Sequence, residues 1–152
     1  MWHRFRTWLR HVERCLAEGG RILTGGAPVL RLGTFFAPTV VVGLPANSVL
    51  NSEETFGPLA GLIPFDDESE AIRIANDTRS GLAAYFYTRD ASRIFRISEA
   101  LHYGMVGANT GAVSSETAPF GGVKESGIGC EGSRHGLDDY LNLKLTAIAV
   151  PM

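Results

Sequence analysis

Leu82-Ala83-Ala84-Tyr85-Phe86-Tyr87 is a continuous apolar and aromatic run of strand length, and Met105-Val106-Gly107-Ala108 is a second, shorter one. Between them, Asp90 opens a stretch in which Ile94, Ile97 and Leu101 recur at three- and four-residue steps before Gly104 closes it. That is the spacing of one face of a capped helix. The same alternation occurs upstream. Leu59 to Phe65 reads as a strand, and Asp66 or Asp67 caps a helix running to about Asp77, with Ala71, Ile72, Ile74 and Ala75 as its apolar residues. Strand, helix, strand, helix, strand at this spacing predicts an α/β fold with a parallel sheet and flanking helices.

Toward the N-terminus, Phe35 to Val42 reads as a further strand, and Pro38 within it points to an edge position or a bulge. Trp2, Phe5, Leu9, Val12 and Leu16 form a helical stripe that Gly19-Gly20 stops, and Ile22-Leu23 is a short apolar pair before the Gly25-Gly26 turn. Toward the C-terminus, glycines crowd the stretch from Gly104 to Gly129, which predicts loops and tight turns. Ser133 to Leu141 reads as a short helix and Leu143 to Val150 as a final strand.

Composition narrows the function classes. The chain has 152 residues, 45% hydrophobic and 20% charged, which is ordinary for a folded domain with a real core. Fourteen Lys and Arg against 16 Asp and Glu leave a net charge of −2, which argues against a nucleic-acid partner. Two cysteines form neither a disulfide framework nor a four-thiolate zinc site. No stretch reaches the roughly 18 consecutive apolar residues of a membrane span, and the N-terminus lacks a signal-peptide core. The expectation is a cytoplasmic chain with no membrane or nucleic-acid partner.

Several tempting patterns lack their context. Gly127-Ile128-Gly129-Cys130-Glu131-Gly132 has the letters of a dinucleotide fingerprint, but no buried strand precedes it and Asp138 and Asp139 come too early for the acidic partner. Cys15 falls mid-helix and reads as a buried thiol; Cys130 sits in the glycine loop with nothing in sequence to activate it. His3, His11, His102 and His135 have no metal-ligand spacing and most are expected to be solvated, so no metal site is expected.

Two segments carry more. Glu53-Glu54-Thr55-Phe56-Gly57-Pro58 sets two carboxylates beside an aromatic and a Gly-Pro turn. A carboxylate there can accept two hydrogen bonds from a sugar diol, and the aromatic can pack on a planar ring; equally, this is an acidic turn packed by a core Phe. In Ala118-Pro119-Phe120-Gly121-Gly122-Val123-Lys124-Glu125-Ser126-Gly127, glycines beside a proline and an aromatic let backbone approach another surface closely, or simply make an ordered loop.

Together the two segments resemble the NAD(P)-dependent aldehyde dehydrogenases, most of all the succinate-semialdehyde dehydrogenases. Asn76-Asp77-Thr78 followed by Gly81 to Tyr87, and Glu131-Gly132-Ser133, Gly136 and Asp139-Tyr140-Leu141, continue the likeness, which runs from about Val12 to Val150. Met1 to Arg10 matches poorly. The resemblance implies the C-terminal part of the catalytic domain, with residues 141–150 as an oligomerisation-type strand. It implies that Glu54 binds the nicotinamide-side ribose, that Phe56 packs by the nicotinamide, and that Phe120 lines the aldehyde pocket. Ser114, six residues before Phe120, is implied to contact a substrate carboxylate. The cofactor would be NAD or NADP, and the substrate a small-molecule aldehyde, succinate semialdehyde.

In the family the nucleophilic cysteine, the general-base glutamate and the cofactor domain come far upstream of the E-E-x-F-G-P motif, and only 52 residues precede Glu53 here. Cys130 stands where an arginine is common. The resemblance therefore implies a fragment with no catalytic residue of its own, inactive alone. Three readings follow: an enzyme fragment completed by a partner, a non-catalytic module that self-associates or docks on full-length aldehyde dehydrogenase subunits, or the product of a decayed gene.

Overall fold

A computed structural model describes residues 2–29 and 33–150, which divide into two compact units, Met1–Thr78 and Arg79–Met152. The first unit opens with helix α1 (Trp2–Ala17). Its buried face is rotated from the expected stripe: His11, Val12 and Cys15 are buried, while Leu16 is exposed. Strand β1 (Arg21–Thr24) follows, formed by the segment that reads in sequence only as an apolar pair. Then come β2 (Thr39–Val42), the single-turn helix α2 (Val49–Ser52), β3 (Leu59–Leu62) and helix α3 (Glu68–Asn76).

These strands form one sheet in the order β1-β2-β3, with β1 antiparallel to β2 and β2 parallel to β3. Thr39 lies opposite Leu59 and Val42 opposite Leu62. β2 is thus the central strand, so of the two alternatives that Pro38 suggests the edge position is not met, while the register of the β1–β2 pair shifts between Ile22 and Thr24. Pro38 precedes the first ladder residue, so its missing N–H removes no sheet hydrogen bond. Alternation along β2 buries Thr39 and Val41 on one face. Val41 joins Cys15, Leu44 and Val49 in the core, with Ile22, Leu50, Leu59 and Ile63 packed around them.

Asp67 caps α3 by accepting from the Glu70 amide at 2.8 Å. The far end of α3 is held by Asn51, whose Nδ2 donates to the carbonyls of Ala46 and Asp77, each at 3.2 Å. Loop 43–58 and α3 are therefore fixed to each other through one amide group.

The second unit holds β4 (Ser80–Gly81), β5 (Ala83–Phe86), α4 (Ala91–Ala100), β6 (Met105–Ala108), β7 (Val123–Lys124) and a 3₁₀ turn at His135–Tyr140. β5 and β6 are parallel, with Ala83 opposite Met105 and Phe86 opposite Ala108. The crossover between them is α4, capped by Asp90, whose Oδ1 accepts from the Arg93 amide at 3.2 Å. Asn109, in the left-handed region at φ 58°, closes this end by exchanging two hydrogen bonds of 2.8 Å with the backbone of Thr88. β4 and β7 make a short antiparallel pair. The parallel pairs of the α/β pattern are thus present, but in separate sheets rather than one.

The final strand expected at Leu143–Val150 does not form. No regular structure is assigned from Leu141 to Val150, and Leu143, Leu145, Ile148 and Val150 are all exposed. A strand exists only by pairing, and no described segment of this chain pairs with it.

Buried and exposed leucines should therefore differ sharply. Leu44→Ala, at a side chain 1% exposed, is expected to lower unfolding free energy by about 3 kcal/mol, whereas Leu143→Ala is expected to change it by less than about 0.5 kcal/mol. Urea unfolding midpoints check both.

Candidate functional site

The two adjacent carboxylates at the start of the E-E-T-F-G-P turn have opposite fates. Glu53 has extended backbone as it leaves α2, so it and its successor point to opposite sides. Glu53 faces α1. Its Oε2 accepts from Arg10 Nη2 at 2.7 Å and from His11 Nε2 at 3.2 Å, and its Oε1 accepts from Arg14 Nη1 at 3.0 Å. The hydrogen bond from His11 holds the Glu53 carboxyl below the usual carboxylate range, with the charges of Arg10 and Arg14 adding to it and burial opposing. Glu54 is exposed and makes no side-chain hydrogen bond or ion pair among the described residues.

Helix α1 also shapes the rest of the turn. The His11 ring is fully buried, and its Nδ1 lies 2.9 Å from Thr55 Oγ1. A carboxylate only accepts, so Nε2 carries the hydrogen toward Glu53, and in the neutral ring Nδ1 accepts from the Thr55 hydroxyl. Trp8 Nε1 donates to the Thr55 carbonyl at 3.2 Å. Gly57 packs on the Trp8 indole so closely that a Cβ there would overlap the ring. Trp8 in turn meets Phe5 and Phe36 edge to face, with centroids 6.4 and 6.0 Å away.

With the turn clamped from behind, Phe56 is forced into the left-handed region at φ 43° and stands 69% exposed, the Arg4 guanidinium 4.4 Å from its ring centroid. Such a backbone is costly for an aromatic residue and persists because the surroundings fix it. The turn therefore presents an exposed carboxylate with no partner among the described residues and an exposed aromatic with one face under Arg4, rather than an acidic turn packed by a core Phe. Both fit a ribose diol and a planar ring.

The second unit carries the other two candidates. Phe120 is locked by a two-bond bridge to Glu131: its amide donates to the Glu131 carbonyl at 2.8 Å, and its carbonyl accepts from the Glu131 amide at 2.7 Å. The glycines after it are required by contact. A Cβ on Gly121 would lie 2.6 Å from the Gly129 carbonyl oxygen, and one on Gly104 would strike the Gly121 carbonyl. Phe120, Ile128, Cys130, Glu131, Leu137 and Tyr140 line an open hollow of about 620 Å³. Ser114 lies exposed on the same loop, outside that lining. The Gly127–Gly132 segment is irregular, with positive φ at Gly127, Gly129 and Gly132, and follows only the two exposed residues of β7.

The arrangement agrees with comparisons to known proteins. The model of the aldehyde dehydrogenase family matches residues 3–146. The chain belongs to that family. The match begins closer to the N-terminus than the expected Val12, within the stretch expected to match poorly. The chain is 54% identical over 140 residues to the NADP-dependent succinate-semialdehyde dehydrogenase of Escherichia coli (strain K12), covering 92% of this chain and 29% of that protein. It has the same identity and coverage with a glutarate-semialdehyde dehydrogenase of Pseudomonas putida. Among solved structures, an E. coli NADP-dependent enzyme superposes with a TM-score of 0.90 at 53% identity over 93% of this chain and 30% of its own. An indole-3-acetaldehyde dehydrogenase of P. syringae, in complex with NAD+, superposes with a TM-score of 0.92 at 37% identity over 97% and 30%. The chain thus spans under a third of the length of the curated relatives it matches.

Most of the histidines are exposed, as expected; His11 is the exception, buried at the heart of the clamp, and only its helical spacing from Trp8 and Arg14 hinted at a shared face. The thiol of Cys15 is buried as expected, and burial, with the nearby Glu18 charge, pushes its pKa up.

Because Glu53 titrates lower in the folded chain than unfolded, its contribution is present above the unfolded value of about 4.3 and is lost as pH falls through the folded one. Glu53→Gln is expected to lower the urea midpoint at pH 7 by an amount worth under about 1 kcal/mol, since the carboxylate is over one-third exposed. The gap to the parent should narrow as pH falls below the unfolded value. An equal gap on either side of that value would contradict the assignment.

Proposed function

We propose that this chain supplies the nicotinamide end of the cofactor site and one wall of the substrate pocket to an enzyme that oxidises succinate semialdehyde to its acid with NAD or NADP. The observation that carries the reading is the clamped turn, which leaves Glu54 free while its neighbour Glu53 is bound by three side chains. Glu54 accepts hydrogen bonds from the ribose hydroxyls, and Phe56 covers one face of the nicotinamide. The bound dinucleotide supplies a hydride acceptor. Phe120 packs against the aldehyde, and the Ser114 hydroxyl donates to the distal carboxylate, which needs a polar donor there.

The 152 residues by themselves do not run the reaction. Aldehyde oxidation through a covalent thiohemiacetal needs an accessible thiolate. Cys15 is buried with its pKa raised, and Cys130 borders the hollow with no base or cation bonded to it among the described residues. A cytoplasmic location fits two free cysteines. No helix among the described residues is long and apolar enough to cross a membrane.

A second reading, that the chain self-associates or docks on full-length family members, is favoured by residues 141–150, exposed and without a ladder partner. Such a segment is a template for pairing with another chain.

Three measurements test these readings. The isolated chain with succinate semialdehyde and either cofactor should give no reduced nicotinamide above a buffer blank; turnover abolished by Cys15→Ala or Cys130→Ala would refute the bystander role of the thiols. In a chimera where residues 3–146 replace the matching segment of the E. coli relative, Glu54→Gln should raise the cofactor KM about tenfold, the loss of one charge-assisted hydrogen bond. On size exclusion, Ala147→Lys with Ala149→Lys should shift the chain toward monomer; a parent already monomeric and unchanged by the substitutions would remove the second reading.

A further inference from the structure

Resting on the assignment of Glu54 to the ribose, we propose that His11 is the positioning residue of the cofactor turn, acting on Glu54 through both of its sequence neighbours. Three observations lead there. Among the described residues Glu54 has no hydrogen-bond or ion-pair partner, so no such bond sets its direction. Its aim is inherited from residues 53 and 55. Those two are held by one ring: His11 Nε2 is 3.2 Å from Glu53 Oε2, and His11 Nδ1 is 2.9 Å from Thr55 Oγ1.

The ring is suited to that work. It is among the bulkiest fully buried side chains of the chain, so it has no room to swing, and both of its polar atoms are used. Buried polar groups with every bond satisfied make rigid junctions. One helical turn earlier, Trp8 holds the Thr55 carbonyl, so the helix grips backbone and side chain of the same residue from adjacent turns. Arg10 and Arg14 also reach Glu53, but each is at least half exposed and can be replaced by water. The histidine is the one member of the set that cannot.

A core histidine that merely stabilises the unit would show in unfolding free energy and nowhere else, so the test separates position from stability. The 15N-labelled full chain is compared as parent, His11→Phe and Val12→Ala, the last weakening the same helix contact without touching the turn. In His11→Phe the amide order parameters of Glu54 and Thr55 should fall from about 0.85 to below about 0.6, and in Val12→Ala they should not move. Glu54 remaining ordered in His11→Phe overturns the proposal, as does equal loss of order in both variants. Should His11→Phe fail to fold, Glu53→Ala with Thr55→Val removes the ring's partners from the turn side, and an ordered Glu54 there overturns it equally.

The same substitutions in the chimera give a KM-against-kcat split. His11→Phe should raise the cofactor KM at least fivefold with kcat at saturating cofactor within twofold, and Val12→Ala should change neither. If Glu54→Gln raises KM and His11→Phe does not, positioning is overturned and the ribose assignment stands. If neither raises it, both fall.

Discussion

Three donors from one face of a single helix converge on the carboxylate of Glu53, and the first unit is organised around that convergence. Arg14 reaches from Glu53, at 3.0 Å, to Glu18, at 3.9 Å, one turn further along the chain. Glu18, just past the end of α1, accepts from the Ser48 hydroxyl at 2.6 Å and from the Val49 amide at 3.1 Å, the N-cap and first residue of α2. The acidic side chains at 18 and 53 thus fasten the two ends of the short α2 segment to α1. A four-residue helix has too few internal hydrogen bonds to stand alone. Held this way it carries Val49 into the core and Glu53 to the mouth of the turn. Among the described residues no buried side-chain nitrogen or oxygen lacks a partner, so this polar junction avoids the penalty that a half-satisfied one would bring.

Local chemistry made the regular elements legible. Asp67 and Asp90 cap helices where their spacing from the following apolar residues places them, and Met105–Ala108 is a strand to the residue. What misled was context. Pro38 looks like an edge signal until the strand is seen to begin one residue later, and β2 then sits centrally between two partners. The C-terminal run has strand composition, but pairing is not a property of the run itself. α2 is too short for any periodicity to reveal it, and β1, with Arg21 and Thr24 around two apolar residues, has no alternation to read.

The site was legible unevenly for the same reason. Glu54 and Phe56 stand out in sequence because their surroundings are turn formers, and the fold leaves both exposed as a binding turn requires. His11 did not stand out. A buried histidine is recognised by what faces it, and its partners lie 42 and 44 residues away. Gly57 was legible only as half of a Gly-Pro turn; its role against Trp8 depends on a helix that begins the chain. Ser114 and Phe120 separate in a different way, since the bridge to Glu131 fixes Phe120 at the hollow while Ser114 lies outside its lining.

The exposed run at residues 141–150 constrains what could pair with it. Alternation along an extended run sends Leu141, Leu143, Leu145, Ala147 and Ala149 to one face, and Asn142, Lys144, Thr146, Ile148 and Val150 to the other. The first face is apolar throughout. The second begins polar and turns apolar only at Ile148. A strand at a solvated sheet edge would keep its second face polar to the end. Paired as a strand, this run would be covered on one face over its first half and on both over its last three residues, as in a strand that passes from the edge of a layer into an interior. A single added strand beside it satisfies the backbone but leaves Ile148 and Val150 in water on the second face. A partner that satisfies the whole run has to bring a packed layer as well as a strand edge, which favours a folded subunit over a peptide as its occupant.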